Sequence, residues 1–143
     1  MKVSPHIALS LSVALAVYAL YRSAAMAAAA LVSGVLVDLD HGFDYLREYG
    51  FRWDVRFFFD SFHKTLYRKV VLPLHAWEWL ALLAVLPALS LGSEISIGIF
   101  IGMGQHLIAD QYTNPVCRWG YFFVYRLRCG FVTSRIFPGK GLE

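Results

Sequence analysis

The sequence predicts an all-α, integral-membrane bundle of about four transmembrane helices with one amphipathic helix in the lipid interface and both termini inside. Three observations lead there. Hydrophobic residues fill 58% of 143 positions and charged residues only 16%, against about 45–50% and about 25% in soluble domains. The apolar residues are gathered into four long runs rather than dispersed, and the cations lie almost entirely between and after those runs. With 13 Lys and Arg, 10 Asp and Glu and a mean hydropathy of +0.53, the chain has too little polar surface to cover a soluble core of its size. A net charge of +3 without a basic block gives no sign of nucleic acid, and Cys117 and Cys129 make neither a CxxC pair nor a disulfide framework.

The first run, Val3 to Tyr21, and the second, Ser23 to Val37, are free of Lys, Arg, Asp and Glu, with Arg22 alone between them. That is the grammar of a helical hairpin, 3–21 and 23–39. Lys2 before an apolar stretch also resembles a secretion signal, but a second run follows after one residue and no separate soluble domain comes later. The third run, Val70 to Ser93, is interrupted only by Glu78, and the fourth covers Ile95 to Ala109; spans at 74–93 and 95–110 are expected. Each run is at or slightly below the length of about 20 residues that crosses a bilayer, so polar residues complete the helix ends. A single domain, 1–143, contains them all.

Between the hairpin and the third run, residues 54–70 mix Phe57, Phe58, Phe59, Phe62 and Leu66 with Arg56, Lys64, Arg68 and Lys69, the pattern of an interfacial amphipathic helix or of one packed on the bundle. The tail after Asp110 interleaves Trp119, Tyr121, Phe122, Phe123 and Tyr125 with Arg118, Arg126 and Arg128, again interfacial in character. If all four runs span, twelve of the 13 basic residues fall on one side and Arg22 alone on the other. The positive-inside rule then places the termini and the long connection in the cytoplasm, with the chain a multi-pass protein of a bacterial or archaeal cytoplasmic membrane. Gly98 and Gly102 form a small-xxx-small pair suited to close helix packing.

The ionisable residues fall at one expected depth. His6 opens the first helix; Asp38, Asp40, His41 and Asp44 close the second; His75 and Glu78 open the third; His106 and Asp110 close the fourth. The orientation used only Lys and Arg, so this coincidence is independent of it. His75 and Glu78 stand at i,i+3, while Asp40 with Asp44 and His106 with Asp110 stand at i,i+4, so each pair is expected to face one way from one helix. Imidazoles and carboxylates converging from several helices are the usual donors for Zn, Mn or Fe. Nine candidates exceed the three or four that one zinc takes, which leaves two ions, or one ion with the remaining groups as base and supporting shell. His63, beside Lys64, reads as solvated.

Ser4-Pro5-His6, Val37-Asp38-Leu39-Asp40-His41, Leu74-His75-Ala76, Gly104-Gln105-His106-Leu107-Ile108-Ala109-Asp110 and Asn114-Pro115-Val116-Cys117-Arg118-Trp119 together resemble the LexA-regulated, membrane-bound metal-dependent hydrolase family of bacterial inner membranes. The resemblance implies a helical inner-membrane hydrolase, distantly similar in its ligand pattern to all-α zinc-dependent phospholipases C and nucleases, with metal ligands at His6, Asp38, Asp40, His41, His75, His106 and Asp110. Two places depart from the family pattern: Val37 stands where a Pro is common, and Val70-Val71-Leu72-Pro73 stands where a His-Arg-Gly stretch is common, with Glu78 a candidate substitute.

The expected chemistry is hydrolysis, with Asp44 or Glu78 taking the proton of a metal-activated water and Arg118 stabilising negative charge. Membrane lipid or a lipid-linked phosphoester is the expected substrate, since a site at headgroup depth meets headgroups first. The rival is a metal or proton transporter using the same cluster; it requires ionisable groups near the midplane, where Ser12–Leu20, Ala24–Val35 and Leu80–Leu91 offer none. A scaffold with a closed structural metal is a third reading.

Overall fold

The computed structural model describes residues 3–64, 66–88 and 93–138, apart from the side chains of residues 3, 62–64, 87 and 88. Eight α-helices account for most of them: α1 Val3–Tyr21, α2 Ala24–Leu36, α3 Asp40–Tyr49, α4 Val55–Lys64, α5 Trp77–Ala88, α6 Glu94–Thr113, α7 Phe123–Arg128 and α8 Thr133–Ile136. The only β pairing among the described residues is an isolated antiparallel bridge between Lys69 and Val132. The all-helical class is as expected. The described residues group into two compact units, Met1–Val37 with Trp77–Thr113, and Asp38–Ala76 with Asn114–Glu143.

The first unit contains α1, α2, α5 and α6. Helix α1 has the expected bounds. Ser23 caps α2, its hydroxyl accepting from the Met26 N–H at 3.1 Å. The expected helix 23–39 ends its α-turns at Leu36, tightens into a 3₁₀ turn over Val37–Leu39 and continues as α3. Two helical stretches, Ser4–Tyr21 and Ala24–Tyr49, are long and apolar enough to cross a membrane.

The polarity of α1 is inverted relative to a soluble helix. Its buried residues are His6, Ser10, Ala14 and Val17, with Ser10 only 1% exposed, whereas Leu15 and Leu20 are 62% and 77% exposed. Small and polar groups inside with large aliphatic groups outside is the arrangement that lipid, not water, favours.

Tight packing of α6 on α2 follows from glycine. A Cβ on Gly98 would overlap the carbonyl oxygen of Met26, and one on Gly102 would overlap that of Ala30 and the Ser33 hydroxyl. The Gly98/Gly102 pair is therefore an internal packing face against the alanine-rich α2. Helix α5 begins at Trp77 rather than at 74, because Leu72 to Ala76 form turns behind Pro73. Its twelve described residues rise about 18 Å, and residues 89–92 of the expected third span lie outside the described residues. Helix α6 is longer than expected, 20 residues.

The second unit is built around Tyr45, Tyr67, Val70, Leu72, Ile136 and Phe137, with Tyr49, Phe57, Phe58 and Val116 packed against them. Asp54 starts α4 by accepting from the Phe57 N–H at 2.9 Å. Instead of continuing to residue 70, α4 ends at Lys64, because the chain beyond pairs with the tail: the Val70 N–H donates to Phe131 O at 2.8 Å and the Thr133 N–H to Arg68 O at 3.1 Å. Burial pushes the Tyr67 hydroxyl up to about 12, so it stays protonated in its 3.1 Å hydrogen bond with Ser61. Phe51 and Trp53, 74% and 88% exposed, precede α4 beside Arg52 and Arg56. The expectations for the His63 side chain, Lys2 and Lys140 lie outside the described residues.

Gly102→Ala is expected to destabilise the protein by about 1–3 kcal/mol through overpacking. Gly104→Ala on the same helix, where an added Cβ meets only Leu80 at 3.7 Å, should be close to neutral. Thermal unfolding of both variants in detergent checks the contrast.

Candidate metal centres

In the first unit, the buried face of α1 carries His6 and the last turns of α6 carry His106 and Asp110, all three buried. The i,i+4 spacing of His106 and Asp110 puts both on one side of α6, as expected. His6 Nε2 lies 2.9 Å from Asp110 Oδ1, and His106 Nε2 lies 3.7 Å from Asp110 Oδ2. The two imidazoles stack at 4.3 Å with an interplanar angle of 18°. One ligand atom from each of the three side chains lies within 4.8 Å of the others.

The tautomer of His106 follows from its partner. Its Nδ1 is 2.8 Å from the carbonyl oxygen of Gly34, an atom that only accepts, so Nδ1 carries the proton and Nε2 keeps its lone pair. Gly34 is required for this approach: an added Cβ would lie 2.6 Å from Gln105 Nε2 and 2.7 Å from Ser10 Oγ, which are themselves hydrogen-bonded at 2.8 Å. His6 Nδ1 is a buried ring nitrogen with no hydrogen-bond partner among the described residues. Two imidazoles and one carboxylate of this kind fit a divalent transition metal with a coordination position left for solvent or substrate.

The second unit holds another such group. Asp38 in the 3₁₀ turn, His41 in α3 and His75 in the turn before α5 each offer a ligand atom within 4.8 Å of the others. His75 Nε2 is 3.6 Å and His41 Nε2 3.7 Å from Asp38 Oδ1, with the two rings edge to face at 5.1 Å. Asp38 and His41 are half-buried and His75 is fully buried.

Asp40, expected among the ligands, stands behind His75. Both of its oxygens are 3.0 Å from His75 Nδ1, and Oδ2 also accepts from the N–H groups of Leu74 at 2.9 Å and His75 at 3.2 Å. A carboxylate on Nδ1 makes it the protonated nitrogen and leaves Nε2, the atom facing Asp38, with its lone pair. Asp40 thus holds both the ring and the backbone N–H of His75.

The three residues expected to act on substrate lie outside both groups. Asp44, fully buried, accepts from the Val71 N–H at 2.9 Å and the Leu72 N–H at 3.1 Å, with Arg47 Nη2 at 3.4 Å. Glu78 is half-buried in the first turn of α5, a helix that begins at Trp77, after His75. Arg118 is exposed, with its guanidinium 5.3 Å from the Trp119 ring centre. The residue missed by sequence reasoning is Arg126, fully buried, whose Nη1 donates to His75 O at 2.7 Å and Gly120 O at 3.1 Å and whose Nη2 donates to Leu72 O at 2.9 Å. Its signal is one cation inside the aromatic run Phe122 to Leu127, which reads equally as an interfacial anchor.

Protein-family models, curated proteins and solved structures were compared with the chain, and none matches.

Replacing Asp44 by Ala removes the acceptor for two backbone N–H groups, and a buried unsatisfied donor costs about 1–3 kcal/mol. A lowered Tm is expected, together with faster hydrogen exchange at Val71 and Leu72 while α1 and α2 keep their protection; exchange read by mass spectrometry on the full chain checks it.

Proposed function

We propose that this chain is a membrane-embedded, metal-dependent hydrolase acting on a lipid or lipid-linked phosphoester at headgroup depth on the cytoplasmic side. The observation that carries the reading is the buried His6–His106–Asp110 group, with His106 Nδ1 pinned by the Gly34 carbonyl, on helices whose outward residues are large and apolar. Ionisable groups inside such helices are costly and default to function. The same residues carry the resemblance to the membrane-bound metal-dependent hydrolases.

His6, His106 and Asp110 in one unit, and Asp38, His41 and His75 in the other, are the side chains that would hold metal, with zinc the first choice for an imidazole and carboxylate donor set. Bound there, the metal would act as a Lewis acid and lower the pKa of a water. The residues do the rest. Gly34 and Asp40 hold the His106 and His75 rings with Nε2 available. Of the two carboxylates considered for the water proton, Asp44 is committed to backbone N–H groups, which leaves Glu78. Arg118, exposed against Trp119, suits the anionic headgroup of the substrate. Phe51 and Trp53 with Arg52 and Arg56 suit the interface of a membrane carrying anionic lipid.

Transport is the weaker reading. Beyond His6 and Ser10 the buried face of α1 continues as Ala14 and Val17, and a transport path needs polar groups farther along the helices.

Full-length protein purified in detergent is expected to contain divalent metal and to hydrolyse labelled phospholipid. His106→Ala should lower turnover by at least about 10–100-fold, the loss that even an outer-shell partner produces. Absence of turnover in metal-loaded protein, or turnover unchanged in the variant, would overturn the hydrolase reading.

A further inference from the structure

His75 does not stand on a helix. It ends the segment Val71-Leu72-Pro73-Leu74-His75, which has no helix or sheet ladder to satisfy its backbone, and charged side chains take that place. The N–H groups of Val71 and Leu72 donate to Asp44, and those of Leu74 and His75 to Asp40; Pro73 has none. On the carbonyl side, Arg126 donates to Leu72 and His75, and ties both to Gly120. Leu72 has φ +44°, a left-handed conformation that a branched side chain adopts only where its surroundings enforce it. Its N–H is held by Asp44, and its C=O accepts from Arg126 and from the His75 N–H at 3.1 Å.

We propose that Arg126 is a positioning residue for metal binding: by holding the carbonyls of Leu72 and His75 it fixes the backbone from which His75 presents Nε2 toward Asp38 and His41. The proposal rests on the metal reading of the Asp38–His41–His75 group. Arg126 reaches the group through the main-chain carbonyl of His75. The planar guanidinium reaches three carbonyl oxygens from one buried place, 5.8 Å from the Phe123 ring centre. A lysine ammonium at the same position keeps the charge but lacks the fork that spans Leu72 and His75. Asp40 on the ring nitrogen and Arg126 on the carbonyl together fix both the ring and the backbone of one histidine.

The test is a double-mutant cycle on metal affinity, measured in the full-length protein by competition with a chromophoric zinc chelator. Arg126→Lys is expected to weaken zinc binding about tenfold or more, at the lower end of what loss of an outer-shell partner does. In a His75→Ala background the same substitution should produce no further loss, because its effect runs through His75. Wild-type affinity in Arg126→Lys, or losses that add independently in the double variant, would overturn the positioning role alone. Zinc binding that His75→Ala leaves unchanged would overturn the metal reading of this group and the proposal with it. Arg126→Gln, neutral and shorter, takes the place of the lysine variant if that one does not fold, and failure of both to fold would show that Arg126 serves the fold rather than the metal.

Discussion

The second unit depends on the satisfaction of one irregular backbone segment, Val71 to His75, by three buried charges. A buried N–H or C=O without a partner costs about 1–3 kcal/mol, and this segment presents four N–H groups and the carbonyls of Leu72 and His75 to side chains rather than to a helix or sheet. Asp40 and Asp44 stand one turn apart on α3, so their carboxylates reach successive pairs of N–H groups, Leu74 with His75 and Val71 with Leu72. Arg126 closes the carbonyl side. The charges and the segment are mutually dependent: the carboxylates and guanidinium are tolerated in the interior because the backbone groups solvate them, and the left-handed Leu72 is tolerated because both of its polar groups are held. The core of Tyr45, Tyr67, Val70, Leu72, Ile136 and Phe137 packs on the same segment, so polar satisfaction and apolar packing constrain it together.

In the first unit the corresponding constraint is close approach. Glycines at 34, 98 and 102 and the alanines of α2 remove the side-chain volume that would hold α1, α2 and α6 apart. Two consequences follow from the same geometry. Small residues make the interior contacts and leave Leu15, Leu20 and their neighbours facing outward, as a helix in lipid requires. The main-chain carbonyl of the buried Gly34 comes within reach of His106, so the packing that stabilises the helices also selects the imidazole tautomer.

Legibility from sequence divides along the line between local and distant determinants. The pairs His106/Asp110 and Asp40/Asp44 are set by helical periodicity, and both lie on single helices; the Gly98/Gly102 face is legible for the same reason. The contacts of Asp40 and Asp44 are not legible, because their partners are N–H groups of a segment about thirty residues away, at the junction of the expected helices 54–70 and 74–93. Pro73 is the one local sign that the third apolar run begins irregularly. His75 accordingly precedes α5, while Glu78 stands in its first turn. Arg126 is the opposite case: surrounded by Phe122, Phe123, Tyr125 and Leu127, it has the sequence context of an interfacial anchor, and only its distant carbonyl partners distinguish a buried clamp. The continuation of α2 through a 3₁₀ turn into α3 likewise depends on contacts that no local propensity encodes.

The central claim is that buried histidines with fixed ring orientation, together with aspartate, hold a divalent metal. X-ray absorption at the zinc edge of the zinc-loaded full-length protein tests it most directly. The expected result is nitrogen and oxygen neighbours at about 2.0–2.2 Å with the scattering signature of imidazole and no sulfur. A sulfur shell at about 2.3 Å, or a protein that retains no stoichiometric zinc, would contradict it.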